Sequence, residues 1–337
     1  MNIDFVLPWV DGSDIKWRAE KDKYQSDSQM VDANSDSRYR DWGFLRYWFR
    51  SVEQYAPWVR RIHFVTWGHI PTFLNIDCPK IQIVRHDDYI PEEWLPTFSS
   101  HTIELNLHRI PGLADHFVYF NDDTFLNKPM KEKDFFHNGL PCAQFTEIPL
   151  GFVGKMQVWQ YAAANDLSII NKWFPKCHSG KKMLGQRVSY KYAWYDNVRT
   201  MAMDLLYPNH YTGFKNFHCP IAYQKQTFEN LWEKEPELLS NTSAHRFRNP
   251  NDVNQWLMLW WQLAGGVFYP RAMNTCNYGI NKENIDLICQ DITSHKHEMI
   301  CLNDPEDLNC EEEIESFKKK IIVAFEKVFS KKSAYEL

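Results

Sequence analysis

The sequence predicts an α/β fold built on a doubly wound, largely parallel sheet, and three observations support this. Short apolar runs with β propensity alternate with segments of helical periodicity, at 3–7, 61–66, 81–85 and from His116 onward. The 337 residues are enough for one large α/β domain or two ordinary ones, and we expect one domain with an insertion. Two apolar runs end in acidic residues, as expected where strands deliver ligand-binding groups to the carboxyl edge of a sheet.

Composition excludes some classes of protein. The formal net charge of -5 argues against a nucleic-acid binder, because duplex affinity rests largely on Lys and Arg neutralising phosphates. Aromatic residues make up 15% of the chain, which fits stacking surfaces for sugars or bases, although aromatic core packing explains it almost as well.

The 8 Cys form no C-x-x-C pair, so no zinc site is indicated and reduced thiols are expected. With neither a signal-like leader nor a membrane-spanning apolar run, a cytoplasmic location is predicted.

The first strand leads into a turn that resembles a nucleotide pocket. Trp9, Asp11, Gly12 and Ser13 follow strand 3–7 directly. Backbone N–H groups of such a turn can meet phosphates, and an Asp can accept hydroxyl hydrogen bonds. Taken alone, the turn does not identify a ligand.

A helix is predicted from a cap at Asp41 to about Tyr55. Its apolar face consists of Leu45, Trp48, Phe49 and Val52. Arg46 and Arg50 are four residues apart and share another face, where they either face a phosphate or are simply solvated.

The next helix begins at serine residues near 99–100 and places Glu104 in or near its first turn. It leads to the apolar run that ends in Asn121, Asp122 and Asp123. Adjacent carboxylates after a buried strand suit Mg²⁺, which takes oxygen ligands from one or two carboxylates plus phosphates. The alternative is a solvated Asx turn at the end of the strand.

The second half of the chain contains candidate site residues that do not belong to a common local motif. Residues 151–207 have long helical stretches and are predicted to form an insertion over the site. His218 lies close to Pro220 and is expected to be extended, and Arg248 lies in a polar loop. One His or one Arg in a loop is more often solvated than catalytic. Asp304 ends the second apolar run.

The tail from 311 onward has helical apolar spacing beside many lysines. The apolar positions are Ile314, Phe317, Ile321, Phe325 and Val328. Two interpretations follow: the helix docks on the core, or it contacts an anionic membrane through 311–332.

The sequence segments described above, in this order along the chain, resemble the Stealth family of sugar-phosphate transferases. That family includes bacterial capsule and cell-wall polysaccharide phosphotransferases and the animal enzyme that begins the mannose-6-phosphate tag. The resemblance lies in four blocks: 3–14, a long block from Ser37 to Asp123, the surroundings of His218 and Arg248, and 301–304. The insertion 151–207 and the tail lie outside it.

The resemblance implies transfer of a sugar 1-phosphate from a nucleoside diphosphate sugar, such as a uridine diphosphate hexose or N-acetylhexosamine, to a hydroxyl of a polysaccharide or lipid-linked oligosaccharide. It also implies release of the nucleoside monophosphate and a fold similar to a nucleotide-sugar glycosyltransferase. On this basis one catalytic domain is expected, with a nucleotide-sugar half at 1–150, the insertion at 151–207, the rest of the core at 208–310 and a C-terminal helix at 311–337. A bacterial, polysaccharide-building branch is indicated, in the cytoplasm or on the inner face of the plasma membrane.

The resemblance and the chemistry of phosphoryl transfer together suggest residue roles. Mg²⁺ or Mn²⁺ is assigned to Asp122, Asp123 and Asp304, and the transferring phosphoryl to Arg248. His218 is the first candidate for general base and Glu104 the alternative. The predicted substrate-binding residues are Trp9, Asp11, Gly12, Ser13, Arg38, Arg46 and Asn121. A metal-dependent glycosyltransferase that releases the nucleoside diphosphate and a non-catalytic carbohydrate-binding protein remain the two alternatives.

Overall fold

The fold is organised around a five-stranded sheet. The computed structural model describes residues 1–25, 39–152, 154–176, 181–304, 308 and 310–337, without the side chains of 181 and 182. The sheet has the order β3-β2-β1-β4-β8, with β1 Ile3–Pro8, β2 Ile62–Thr66, β3 Ile81–Arg85, β4 His116–Tyr119 and β8 Ile221–Gln224. The first four strands are parallel and β8 is antiparallel to β4. The predicted strands 3–7, 61–66 and 81–85 are therefore confirmed within a residue.

Side chains of the central strands alternate between two apolar layers. Phe5 and Leu7 of β1 lie in one buried cluster, and Val6 between them lies in the other, as the twofold repeat of a strand requires. Helices cover both faces of the sheet, which makes this a three-layer α/β fold as predicted.

One face of the sheet is covered by α2 Leu45–Tyr55, α11 Ile285–Ser294 and α12 Glu311–Val328, whose apolar residues share a cluster with Phe5 and Leu7. The other face is covered by helices that include α8 Lys225–Lys234, α9 Pro236–Ala244 and α10 Trp256–Ala264. The predicted cap at Asp41 is wrong, because α2 begins only at Leu45. Asp41 instead accepts a hydrogen bond of 2.8 Å from the Gly43 N–H in the preceding turn.

Two small sheets complete the β structure. One has the order β10-β11-β5, with β5 Thr124–Leu126, β10 Thr275–Gly279 and β11 Met299–Asn303. The other has the order β6-β7-β9, with β6 Phe136–His137, β7 Leu140–Ala143 and β9 Tyr269–Pro270. β11 is parallel to β10 and antiparallel to β5.

The remaining α-helices are α1 Ile15–Asp22, α3 Ser100–Leu105, α4 Glu132–Phe135, α5 Val158–Trp173, α6 Lys181–Arg187 and α7 Trp194–Leu206. The last three confirm the helical character predicted for 151–207. Short 3-10 helices lie at His86–Asp88, Glu92–Trp94 and Leu107–Arg109. Among the described helices, none combines the length and the apolar character needed to cross a bilayer.

Helix α12 docks on the core. Ile314, Phe317, Ile321 and Phe325 are all buried in the same cluster as β1, and Val328 packs against it. Of the two interpretations of the tail, core docking is confirmed. The apolar face of 311–328 is therefore not available to a membrane, because the protein interior already covers it.

Candidate active site

A cavity of about 740 Å³ opens beyond the carboxyl ends of β1 and β4. It is bounded by residues from distant parts of the chain that the sequence analysis had selected separately. Eight predicted site residues line it: Trp9, Glu104, Asn121, Asp122, Asp123, His218, Arg248 and Asp304. Its position agrees with the general rule that ligands of open α/β sheets bind at the carboxyl edge.

Pairing of β5 with β11 brings the two acidic motifs together. The backbone N–H of Leu302 donates to the Asp123 carbonyl oxygen at 2.8 Å. The Cys301 thiol donates to Asp123 Oδ2 at 3.3 Å. Asp304 follows directly after β11, so both Asp122–Asp123 and Asp304 border one cavity although they are far apart in the sequence.

The three carboxyl groups share an unusual electrostatic environment. Local desolvation raises the pKa of Asp122 to about 7, although the residue is exposed at the cavity, and the neighbouring Asp123 and Asp41 add to the effect. Burial likewise raises the pKa of Asp123 to about 6, against the Cys301 hydrogen bond, and that of Asp304 to about 6, against the charge of Arg40. Carboxyl groups that are difficult to ionise in an apolar site are stabilised as anions by a bound cation.

Two of these carboxylates offer oxygens for a cation. Asp123 Oδ1 and Asp304 Oδ2 are buried and have no hydrogen-bond partner. Buried polar atoms without partners are rare and require an explanation. Across the described ranges, no three His, Cys, Asp or Glu side chains converge closely enough to hold a metal ion by themselves. The residues present therefore fit a cation held by two carboxylates and completed by ligand phosphates, which is how Mg²⁺ is commonly bound.

Asp304 also has a cationic neighbour that the sequence analysis did not select. Arg40 Nη1 donates to Asp304 Oδ1 at 3.0 Å, and Arg40 lines the cavity. The ion pair fixes one carboxylate oxygen and leaves Oδ2 for another partner. The distance of 264 residues between the two explains why no sequence pattern indicates it.

Glu104 is buried on α3, where it accepts a hydrogen bond of 2.9 Å from the Tyr119 hydroxyl. The Tyr119 hydroxyl oxygen is also 2.7 Å from Asn121 Oδ1, so its one hydrogen is shared between the two acceptors. Burial raises the pKa of Glu104, and the neighbouring His101 and Arg248 side chains only partly oppose this. A raised pKa makes the ionised carboxylate a stronger base and also enlarges its protonated fraction, so it is compatible with either direction of proton transfer.

Arg248 reaches the same helix. Its Nη2 donates to the Ser100 hydroxyl at 2.7 Å, which directs the guanidinium to the cavity wall beside Glu104. The planar fork of Arg retains further N–H groups for a bidentate contact with phosphate oxygens.

His218 lines the cavity but not in the predicted conformation. Its φ of 42° lies in the left-handed region, so the expectation of an extended backbone is wrong. The physical reason is that Pro220 restricts its immediate neighbour Cys219, whereas His218 is one residue further away and closes an Asx turn onto Asn216 at 2.9 Å. The ring is 6.2 Å from that of Trp256, and burial lowers the pKa of His218, which favours the neutral base.

The turn after β1 reaches the cavity only in part. Trp9 and Val10 line it, whereas Asp11, Gly12 and Ser13 do not. Asp11 Oδ1 accepts from both the N–H and the hydroxyl of Ser13, at 2.9 and 2.6 Å. A Cβ at Gly12 would lie 2.0 Å from the Tyr39 carbonyl oxygen, so close packing explains this glycine.

Two predicted arginines are not among the cavity residues. The Arg46 guanidinium stacks on Phe73, 5.1 Å from the ring centroid, so the structure does not bring it to the site. Arg38 lies outside the described residues.

His101 is the main residue that sequence reasoning missed. It lines the cavity from α3, and its Nδ1 is 2.9 Å from Asp252 Oδ2. The available signal was its position three residues before Glu104 at a helix start. Its carboxylate partner lies 151 residues away and could not be inferred from spacing.

Comparison with known proteins identifies three conserved regions of Stealth proteins in the chain. Conserved region 1 matches residues 1–29, region 2 matches 38–143 and region 3 matches 217–261. Cavity residues come from all three, including Trp9, Asp123 and Arg248.

Relatives match over nearly the whole chain. A capsular polysaccharide phosphotransferase of Streptococcus pneumoniae is 40% identical over 99% of this chain and 98% of its own length. A receptor polysaccharide phosphotransferase of Streptococcus oralis is 37% identical over 99% of each chain. An exopolysaccharide phosphotransferase of Lactiplantibacillus plantarum is 36% identical over 99% of this chain and 96% of its own.

Solved structures give a much weaker likeness. The galactosyltransferase LgtC, in complex with donor and acceptor sugar analogs, aligns over 95% of each chain with a TM-score of 0.37 and 11% identity. Mouse xyloside xylosyltransferase 1 aligns over 90% of this chain and 98% of its own with a TM-score of 0.38 and 10% identity. Likeness at this level supports no conclusion about this chain.

Proposed function

Since this chain is a phosphotransferase of the Stealth family, we propose that it transfers a sugar 1-phosphate from a nucleoside diphosphate sugar to a hydroxyl of a growing polysaccharide. The products are a phosphodiester and a nucleoside monophosphate. The proposed donor is a uridine diphosphate hexose or N-acetylhexosamine. We expect the step to occur in the cytoplasm, on a polysaccharide or lipid-linked oligosaccharide.

One observation carries the proposal: a single cavity is lined by buried carboxylate oxygens without partners and by an arginine. Phosphoryl transfer requires neutralisation of the transferring group and in-line positioning more than covalent chemistry. Asp123 and Asp304 would hold a cation that, together with Arg248, would supply that neutralisation. A carbohydrate-binding surface gives no reason to bury two such carboxylates.

Asp123 and Asp304 would hold the proposed Mg²⁺ or Mn²⁺, with Asp122 beside them. When bound, such an ion polarises the phosphoryl oxygens and offsets their negative charge. Cys301 and Arg40 orient the two carboxylates, each by contact with one oxygen, so that the other oxygen remains free.

The remaining roles follow from position on the cavity wall. Arg248 is proposed to contact the transferring phosphoryl, and Trp9 to line the nucleotide pocket. His218, neutral because burial lowers its pKa, is the first candidate from the sequence to accept the proton of the attacking hydroxyl. Glu104, the alternative base, has a raised pKa and already accepts a hydrogen bond from the Tyr119 hydroxyl.

The competing function is a metal-dependent glycosyltransferase. That enzyme attacks the anomeric carbon and releases the nucleoside diphosphate, whereas attack on phosphorus preserves the sugar–oxygen bond and releases the monophosphate. The two reactions therefore differ in the nucleotide product and in whether the new linkage contains phosphorus.

The test is to incubate the protein with Mg²⁺, a uridine diphosphate sugar and an oligosaccharide acceptor, and then to separate the nucleotides by ion exchange. Uridine monophosphate with a phosphodiester signal in the phosphorus NMR spectrum of the product is expected. A parallel reaction with EDTA serves as control. Uridine diphosphate with a phosphorus-free product would contradict the proposal.

A further inference from the structure

His101 and Asp252 form a buried pair beside the cavity, and the partly exposed His245 contacts the same carboxylate. His101 is 3% exposed and Asp252 is 0% exposed. Asp252 Oδ2 is 2.9 Å from His101 Nδ1, and Asp252 Oδ1 is 2.6 Å from His245 Nδ1. The Asn249 N–H also donates to Asp252 Oδ2 at 2.8 Å. One carboxylate thus ties α3 to the loop that carries Arg248.

The carboxylate fixes the tautomer of His101. Burial alone would raise the pKa of Asp252, but the hydrogen bonds from His101 and His245 lower it overall, so the group is ionised. An ionised carboxylate accepts hydrogen bonds only, so Nδ1 of His101 carries the hydrogen. In neutral His101 the lone pair is then on Nε2, which has no hydrogen-bond partner among the described residues.

A base oriented by a carboxylate is a recurrent arrangement for removing a proton from a hydroxyl. His101 has this support and lines the cavity next to Ser100 and Arg248. By contrast, no hydrogen bond to the ring of His218 is present in the described part of the chain. The Glu104 carboxyl already accepts from Tyr119.

We propose that His101 is the catalytic base, with Asp252 as its positioning residue. Nε2 takes the proton as the acceptor O–H bond breaks and the new O–P bond forms, while the P–O bond to the nucleoside monophosphate breaks and that group leaves with the electron pair. Asp252 stabilises the resulting imidazolium. The bonds made and broken at phosphorus follow from the proposed function, whereas the proton transfer to Nε2 requires only that an acceptor hydroxyl attacks the donor.

The chain provides a matched control. His245 makes the same kind of contact with the other oxygen of Asp252, but it does not line the cavity. His101→Gln and His245→Gln each remove one imidazole from the same carboxylate. Because the His101 side chain is 3% exposed and that of His245 is 35% exposed, urea unfolding of both variants separates a loss of stability from the loss of a base.

The experiment compares kcat, KM and donor affinity for both variants and for Asp252→Asn, with folding checked by circular dichroism. General-base loss lowers the rate by about 10²–10⁴-fold, so we expect this loss in kcat for His101→Gln with little change in donor affinity. His245→Gln should stay within about threefold of wild type, a change of less than 1 kcal/mol. Asp252→Asn should lower kcat through the wrong His101 tautomer.

A second measurement does not depend on turnover. Long-range ¹⁵N–¹H NMR spectra, with the His101 signal assigned by its absence in His101→Gln, should show the Nδ1–H tautomer in the wild-type protein and its loss in Asp252→Asn. Equal kcat losses in the two histidine variants, full activity of His101→Gln, or an Nε2–H tautomer would each overturn the proposal.

Failure of this inference is distinguishable from failure of the proposed function. Attack on phosphorus and attack on the anomeric carbon both remove the acceptor proton. The comparison of His101→Gln with His245→Gln therefore remains informative whichever nucleotide is released, and the identity of that nucleotide tests the reaction class separately.

Discussion

Leu302 donates its backbone N–H to the carbonyl oxygen of Asp123 at 2.8 Å, and this bond connects the two acidic motifs of the sequence. It belongs to the antiparallel pairing of β5 with β11, in which Cys301 is opposite Thr124. Because this pairing fixes the backbone on both sides, Asp123 and Asp304 border one cavity. Several expected outcomes depend on this arrangement.

Asp123→Asn and Asp304→Asn should each abolish Mg²⁺-dependent turnover while the protein remains folded, because each removes one anionic ligand from a two-carboxylate site. Turnover is measured against Mg²⁺ concentration. Asp286→Asn serves as control, since that side chain is 86% exposed and pairs with Lys320. Unchanged Mg²⁺ dependence in either cavity variant would refute the assignment.

Arg248→Ala should lose about 10³-fold in kcat with a much smaller loss of donor affinity, because contact with a transferring phosphoryl strengthens in the transition state. Arg248→Lys should recover part of this activity, since Lys lacks the bidentate fork. Arg246→Ala is the control, because that guanidinium bonds the Pro96 carbonyl oxygen and stacks on Tyr24 outside the cavity. Equal effects of both alanine variants on kcat would argue against the role.

Arg46→Ala should leave donor affinity and kcat close to wild type, although the sequence suggested a substrate contact. The structure stacks this guanidinium on Phe73 instead. Titration of both proteins with the nucleotide sugar by calorimetry measures this. A large loss of affinity would show that Arg46 reaches the donor in the complex.

The carboxylate of Asp4 should make the free energy of unfolding depend on pH in the acidic range. Burial opposes its ionisation, but hydrogen bonds from His63, Arg60 and the Ala114 N–H lower its pKa from 3.8 to about 2. A depressed folded pKa stabilises the fold above the unfolded value near 3.8, and this stability is lost as pH falls toward 2.

Asp4→Asn should therefore reduce the free energy of unfolding by about 2 kcal/mol at pH 7, as one pKa unit corresponds to about 1.4 kcal/mol. The difference between wild type and variant should shrink progressively below about pH 4. Urea unfolding at several pH values measures it. A difference that does not vary with pH would exclude the ionic contribution of this carboxylate.

Glu336→Gln should destabilise the fold by about 3 kcal/mol, because the buried Arg50 charge loses its two-point anionic partner and keeps only a longer contact of 3.3 Å with Glu326. Arg50 Nε and Nη2 contact Glu336 Oε1 and Oε2 at 2.8 and 2.9 Å, which ties the C-terminal residues to α2. Chemical unfolding is compared with that of Glu315→Gln, whose side chain is 54% exposed. Similar stability of both variants would contradict this role of the ion pair.

The sequence by itself determined the fold class and the chemical character of the site. Alternating apolar strands and amphipathic helices specify a layered α/β core, because the spacing of apolar residues along each strand or helix determines which of its faces is buried. The apolar residues of β1 and α12 are buried as their spacing predicts. Acidic residues directly after apolar runs were also sufficient to select Asp122, Asp123 and Asp304, since a strand end fixes their location at the sheet edge.

Only the tertiary structure decided which residues meet. Arg40 with Asp304 and His101 with Asp252 are pairs separated by 264 and 151 residues, and no local period links them. Tertiary packing also turned Arg46 away from the cavity and placed His218 in a left-handed backbone conformation. Side-chain direction and long-range pairing depend on how the layers pack, which local residue patterns do not encode.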